Sequence, residues 1–362
     1  MSTRLKVAVI YGGNSVQHEI SLASAAAVVK HLDSKIYEVI PVGIDKKGHL
    51  HVHEMEDLKF EDKSWPVQTD KSFEIPSLIH DTKFFTPVDV VISLTYGGDY
   101  ENGGLQGLFN LARVPYVSTD VLGSAIGLNK DIARRLACGD GIQSPAYRLL
   151  NKNDHEGLWG HRVREMVNEK GWPLIVKPCA GGSSIGVAKV HHLSEALEAI
   201  KNAFQYDEEV LVEQAISGRE IEVVVIQDLK RQQLRASLPG EINFKNQDEC
   251  YSYDLKHKKS HLVQYIVPAK IDADWMQTIR QTAIEIFKRI KCKSMARIEF
   301  FYDEKNQKLY FNEINTLLSS PSNHLSAMVW DKTGLKFDEL LRLLIETAML
   351  QFQIKNQLVT EY

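Results

Sequence analysis

Cysteine is scarce: the 362-residue chain has four, Cys138, Cys179, Cys250 and Cys292, far apart and without a CxxC pair. That spacing speaks against a disulfide framework or a zinc site and suits a reducing cytosol. Long apolar runs are absent as well. The first, Val7 to Tyr11, covers only about five residues, too short for the core of a secretion signal. No later segment approaches the roughly 20 residues needed to cross a bilayer, so a cytoplasmic protein with no membrane partner is expected. Neither sign of charge is in large excess, the formal net charge being -4, and 25% charged with 44% apolar residues excludes disorder. DNA and RNA are not expected partners. The GxxxxGK[ST] and GxGxxG fingerprints are missing too, as are internal repeats and low-complexity linkers.

This length fits two or three packed units. Residues 5–11 read as a buried parallel strand, followed by Gly12-Gly13 and a small-residue helix over about 21–32. Further strands are expected at 37–44, ending in the turn Asp45-Lys46-Lys47-Gly48, and at 88–94, running towards Tyr96-Gly97-Gly98. Residues 1–123 thus form an open α/β sheet, in which ligands collect at the carboxyl ends of strands, where both glycine pairs fall. A second unit, 124–216, opens with a helix from Ser124 through Cys138. It continues with an extended stretch near Pro145, a polar segment 151–171 and strands at 174–177, 187–190 and 210–213. The third, 217–362, holds a strand at 220–226, a Tyr- and Lys-rich stretch 244–262, a helix over 273–290, a hairpin over 295–315 and a C-terminal helix.

The hairpin carries the strongest chemical signal. Ala296-Arg-Ile-Glu-Phe-Phe301 and Leu309-Tyr-Phe-Asn-Glu-Ile-Asn315 flank a turn-forming stretch, and side chains alternate along a strand. Arg297 and Glu299 therefore share one face of the first strand, and Glu313 and Asn315 one face of the second. If those faces coincide, two acids and an amide converge beside an arginine, an oxygen donor set that suits Mg²⁺. A surface ion-pair cluster would present the same pattern. The second signal is Lys177, which ends an apolar strand just before Gly181-Gly-Ser-Ser-Ile-Gly186. Such a loop can bring backbone N–H groups close to phosphate oxygens while the lysine supplies a point charge; an ordinary turn has the same composition. Lys130, Glu213 and Glu220 are further candidates, each with an ordinary surface reading.

In order along nearly the whole chain, these segments resemble the D-alanine:D-alanine ligase family of ATP-grasp enzymes. The resemblance rests on Gly12-Gly-Asn-Ser-Val-Gln-His-Glu-Ile-Ser-Leu22, Gly104-Leu-Gln-Gly107, Asn129-Lys130, Lys177-Pro178, Gly182-Ser-Ser-Ile-Gly186, Val212-Glu213, Gly218-Arg-Glu-Ile-Glu222, Arg297 and Asn312-Glu-Ile-Asn-Thr316. It implies three α/β domains, with ATP held between the central and C-terminal ones. It further implies that Lys130 and Lys177 hold the phosphates, that Glu213 and Glu220 meet the adenine amine and the ribose hydroxyls, and that Ile216 lines the adenine pocket. Lys256 would reach the γ-phosphate from a mobile loop. Glu299, Glu313 and Asn315 would bind two Mg²⁺, with Mn²⁺ as a substitute, and Glu299 replaces the family's more usual aspartate.

Around the amino-acid substrates the chain departs from the family pattern. Gln17 stands where a glutamate anchors the first substrate's ammonium, Tyr96 where a histidine is usual, and His257 where the lid tyrosine works alongside Ser183, which is kept. Ser319 stands for the glycine whose N–H helps Arg297 stabilise the oxyanion. His324, followed by Leu325, stands for a serine that binds the second substrate's carboxylate. The implied chemistry phosphorylates a carboxylate from ATP and lets an amine attack the acyl phosphate. Three readings stay open: a D-alanine:D-alanine ligase supplying peptidoglycan precursor, the same chemistry on another amino acid or a D-hydroxy acid, and a nucleotide-binding relative without catalysis. A homodimer is the family expectation.

Overall fold

The computed structural model describes residues 4–58, 65–67, 72–74, 88–244, 263–318 and 325–358. The first of three sheets among these residues holds β1 (Leu5–Gly12), β2 (Tyr37–Ile44), β3 (His49–Val52), β4 (Ser72–Glu74), β5 (Val90–Ser93) and β6 (Tyr116–Val117), in the order β4-β3-β2-β1-β5-β6. Strands β2, β1, β5 and β6 are parallel, whereas β3 and β4 extend the sheet antiparallel. The connection decides this. A turn as tight as Asp45–Gly48 can only return the chain antiparallel, while parallel neighbours need a long crossover. Asp45 fastens the turn by accepting from Lys47 N and His49 N at 2.8 and 2.9 Å.

Strand β1 is covered on both faces, which is why its apolar run is unbroken. Val7, Val9 and Tyr11 share a cluster with Leu22, Ala25 and Val29 of helix α1 (His18–Val29). Ala8 and Ile10, on the opposite face, pack with Leu105 and Phe109 of α2 (Gly104–Leu111).

Two helices, α3 (Val121–Leu128) and α4 (Lys130–Ala137), replace the single helix expected through Cys138. Asn129 separates them with an extended backbone. Its side chain accepts from Ile132 N at 2.9 Å, capping α4, and from the Cys179 thiol at 3.3 Å. Lys130 is thereby fixed at the first position of a helix.

The second sheet is antiparallel, with β7 (Tyr147–Asn151), β8 (Leu174–Pro178), β9 (Ala188–Val190) and β10 (Glu209–Gln214) in the order β7-β10-β8-β9. Helices α5 (Glu156–Lys170) and α6 (Leu193–Ala203) cover it. Most of the polar segment 151–171 is therefore helix. Its stripe is thin, with Trp159, Val163 and Met166 as its buried large side chains, roughly one per turn.

The third sheet holds β11 (Arg219–Asp228), β12 (Gln233–Ala236), β13 (Gly240–Phe244), β14 (Val263–Ile266), β15 (Met295–Asp303) and β16 (Lys308–Asn315), in the order β14-β13-β11-β15-β16 with β12 beside β11. Ile279, Ala283 and Ile286 of α7 (Ala273–Arg289), together with Ala133 and Ala137 of α4, cover one face. The other meets α8 (Leu325–Lys332) and α9 (Phe337–Asn356). Leu341, Leu344 and Ile345 of α9 share one cluster with Val224 and Ile226 of β11 and with Val7 and Val9 of β1, so the final helix seals the first sheet to the third. No helix among the described residues is long and apolar enough to cross a membrane.

The end of β1 depends on a glycine. Gly12 has φ +88°, and a Cβ there would lie 2.2 Å from Ile44 O. Gly12→Ala should destabilise the fold by about 2 kcal/mol or more, from left-handed strain plus a backbone clash. A fall in the midpoint of thermal or denaturant unfolding checks this, and an unchanged midpoint would contradict it.

Candidate active site

A cleft opens between the second and third sheets, and most of the nucleotide-site candidates converge on it. Lys130, Lys177 and Glu213 line its floor, Ile216 and Glu220 one end, and Glu299 and Glu313 the hairpin side. The turn through Gly181, Gly182 and Ser184 closes the opposite wall. Ser183, with φ +53°, belongs to this turn but is not among the residues facing the cleft.

The floor is a buried ion network. Lys177 Nζ lies 2.8 Å from Glu213 Oε1 and donates to Asn312 Oδ1 at 3.1 Å. Arg134 Nη1 meets the other carboxylate oxygen of Glu213 at 2.6 Å. Burial pushes the Glu213 carboxyl upward, but the opposing fields of Arg134 and then Lys177 outweigh it and hold it below the usual range. Burial also dominates at Lys177, whose ammonium is lowered to about 8 despite the attraction of Glu213. Lys130 Nζ donates to Gly181 O at 2.6 Å and lies 3.2 Å from Glu313 Oε2, tying the helix start to both walls.

On the hairpin the two chemical faces do coincide. Register pairs Arg297 with Asn315 and Glu299 with Glu313, and a bulge follows between Glu299 and Phe300. Arg297 Nη2 and Asn315 Nδ2 both donate to Glu299 Oε1 at 2.9 Å. Next to this pair, Glu222 on β11 stands opposite Glu299. It is buried, its Oε2 has no hydrogen-bond partner among the described residues, and Arg297 Nε is 3.8 Å away. Among the described residues no three His, Cys, Asp or Glu side chains are grouped to hold an ion alone. Two carboxylates and an amide oxygen, beside one further buried carboxylate, nevertheless fit Mg²⁺, which leaves its other positions to water and phosphate. A half-turn of the Asn315 amide would present its oxygen.

Arg134 lies outside the segments that the sequence marks, and Asn312 and Glu222, which lie within them, carry no role there. Glu222 could have been found, since it lies two residues beyond Glu220 on the same strand face. Nothing in the sequence pattern marks Arg134.

Near the carboxyl ends of the first sheet, Gln17 is buried, and a Cβ added at either Gly97 or Gly182 would come within 3.3 Å of its Nε2. Gln17 therefore sits between the loop after β5 and the glycine turn of the second sheet. The Tyr96 hydroxyl donates to Leu318 O at 3.0 Å, linking the first sheet to the segment after β16, and burial raises its pKa above the usual phenol range. Glu101, also buried, accepts from Gly97 N at 3.0 Å, and burial raises its carboxyl. The side chain of Leu325 is packed in the core at the start of α8, away from the cleft. Lys256, His257, Ser319 and His324 lie outside the described residues.

Residues 6–119 match the family model described as the D-ala D-ala ligase N-terminus, and residues 136–346 match the D-ala D-ala ligase C-terminus. A D-alanine–D-alanine ligase from Legionella pneumophila (strain Lens) is 41% identical over 363 residues, covering 100% of both chains. The chain belongs to the D-alanine:D-alanine ligase family. Its relative from Caldicellulosiruptor bescii is 35% identical over 96% of each chain. Among solved structures, the D-alanine-D-alanine ligase of Coxiella burnetii superposes with a TM-score of 0.78 at 28% identity, covering 98% of this chain and 96% of that one. VanG D-Ala:D-Ser ligase from Enterococcus faecalis gives 0.77 at 28%, covering 96% and 100%. The fold is the ATP-grasp arrangement of this family.

In this ligase scaffold the charge on Lys177 disappears as pH rises through about 8. Affinity of the free protein for ATP should fall over that interval, because a neutral amine no longer attracts phosphate. Lys177→Arg, which stays charged, should flatten the profile. Stability moves the other way: the fold holds this proton less tightly than the unfolded chain does, so the cost of burying the ammonium fades above pH 8. Nucleotide titrations across pH check the assignment, and equal basic limbs in both proteins would overturn it.

Proposed function

We propose that this protein is an ATP-dependent, ADP-forming ligase that joins two D-alanines through an acyl phosphate, supplying peptidoglycan precursor. The observation that carries this reading is the cleft itself, where Lys130, Lys177 and the carboxylates of the β15–β16 hairpin line one cavity. Phosphoryl transfer needs charge neutralisation and in-line positioning more than covalent help. Lys130 and Lys177 hold the phosphates, joined by Lys256 from the stretch after β13. Glu213 accepts from the adenine amine, Glu220 from the ribose hydroxyls, and Ile216 packs against the base. Glu299, Glu313 and Asn315 would hold two Mg²⁺, or Mn²⁺ in their place, which would supply further neutralisation of phosphate charge. With units at 1–123, 124–216 and 217–362, the nucleotide lies between the second and third.

Gln17 holds the ammonium of the first amino acid through its amide oxygen, with Ser183 and His257 closing over it. Arg297 and the Ser319 N–H stabilise the oxyanion as the second amine attacks. Tyr96, His324 and Leu325 bound the second substrate. Leu325 does so through its backbone, since the first N–H groups of a helix lack intrahelical partners. A cytoplasmic homodimer without nucleic-acid or membrane partners completes the reading.

A second reading keeps the chemistry and changes the acceptor. It is favoured by Gln17, which replaces a charged anchor with a neutral one, and by Tyr96, whose hydroxyl is spent on Leu318 O. Phosphate release with ATP and Mg²⁺ across D- and L-amino acids and D-hydroxy acids separates the two. Release with D-alanine alone supports the first reading, release that requires a different acid supports the second, and silence throughout refutes both. Glu313→Gln should lower that release by about 100-fold or more, because it removes a charged oxygen donor beside the transferred phosphate. An unaffected rate would remove the hairpin from the mechanism.

A further inference from the structure

Arg134 is the most buried charged side chain among the described residues, at 1% exposure, and none of the roles assigned above uses it. Its guanidinium is held from three sides. Nε donates to Asn312 O at 3.1 Å, Nη2 to Asn312 Oδ1 at 3.3 Å and Nη1 to Glu213 Oε2 at 2.6 Å. The guanidinium carbon also lies 5.4 Å from the centre of the Tyr147 ring, whose hydroxyl is anchored to Asp131 at 2.8 Å. These contacts come from α4, β7, β10 and β16, so the side chain cannot leave without disturbing two sheets.

Lys177 is different. It shares the same carboxylate and the same Asn312 amide, but it lines the cleft on a flexible stem. If Lys177 were the sole counter-ion of Glu213, turning it towards a phosphate would leave a buried carboxylate unpaired, which is strongly unfavourable. A guanidinium never gives up its charge and keeps its donors in a fixed fork.

We propose that Arg134 is a positioning residue for nucleotide recognition: it holds the Glu213 carboxylate as a fixed, ionised acceptor for the base and frees Lys177 for the phosphates. The inference rests on the reading that this cleft takes ATP with Glu213 at the adenine amine. One carboxylate oxygen stays with Arg134 in both states, and the oxygen that Lys177 vacates becomes available to the amine. A base carrying a carbonyl in place of that amine should be refused.

The test is direct binding of ATP and of inosine triphosphate to the full chain, without amino acids, in wild type, Arg134→Gln and Arg134→Lys. Wild type should prefer ATP. Arg134→Gln should lose about tenfold or more in ATP affinity, the worth of a charge-assisted hydrogen bond, while inosine triphosphate changes little, so that the preference collapses. In turnover, KM for ATP should rise with kcat nearly unchanged. Arg134→Lys should recover part of the preference. Equal losses for both nucleotides in Arg134→Gln would show a merely structural role and overturn the inference, as would an unchanged ratio. Should Arg134→Gln not fold, Arg134→Lys decides: a narrowed ratio supports the inference and an unchanged ratio overturns it. Wild-type protein that binds neither nucleotide would overturn the ATP reading itself, and the inference with it.

Discussion

Glu213 is buried between Arg134 and Lys177, and the arrangement of the cleft follows from satisfying that one carboxylate. An isolated carboxylate could not remain charged at such depth, so two cations from different elements converge on it, one from helix α4 and one from strand β8. Asn312 on β16 accepts from both. The second sheet, the third sheet and the helix between them are thus joined at a polar point, where an apolar contact would give adhesion but no orientation. Breaking one partner of such a pair costs about 3–5 kcal/mol, enough to make the network a structural requirement.

The rest of the cleft is assembled around this point by strand register. Pairing of Glu299 with Glu313 and of Arg297 with Asn315 places acids, amide and guanidinium on one face. The bulge after Glu299 increases the local twist of the hairpin where it faces the cleft. Because β11 pairs with β15 on its other edge, Glu222 adds a buried carboxylate to the same face. Lys130 arrives from outside the sheets, and the Asn129 cap is what makes a helix begin there, with the ammonium directed to Gly181 O and Glu313. Lys130 and Lys177 each have a carboxylate neighbour, Glu313 at 3.2 Å and Glu213 at 2.8 Å.

Gln17 and Tyr96 come from the ends of the first sheet, and their neighbours belong to the other two: Gly182 to the second, Leu318 to the segment following the third. Geometry there depends on how the first sheet sits against the third, which helix α9 fixes through the core cluster it shares with β1 and β11.

Period-2 alternation alone put Arg297, Glu299, Glu313 and Asn315 on shared strand faces, and the apolar run of 5–11 declared a strand covered on both sides. The lysine and glycine turn of 177–186 were legible for the same reason, that a local pattern has a local cause. Other features had no such signature. The polar stretch 151–171 hides a helix because three apolar residues are enough to seat it on a small sheet, while the break at Asn129 is masked by helix-forming residues on both sides although asparagine is itself a cap residue. Arg134 lies beyond reach of any sequence periodicity: on a helix it reads as a solvated charge, and only the approach of β10 and β16 encloses it. The sequence by itself determined which residue types and strand faces were available, since these follow from backbone geometry within a few residues. Tertiary structure decided which charges became partners, because burial and pairing depend on segments far apart along the chain, Arg134 with Glu213 and Tyr96 with Leu318.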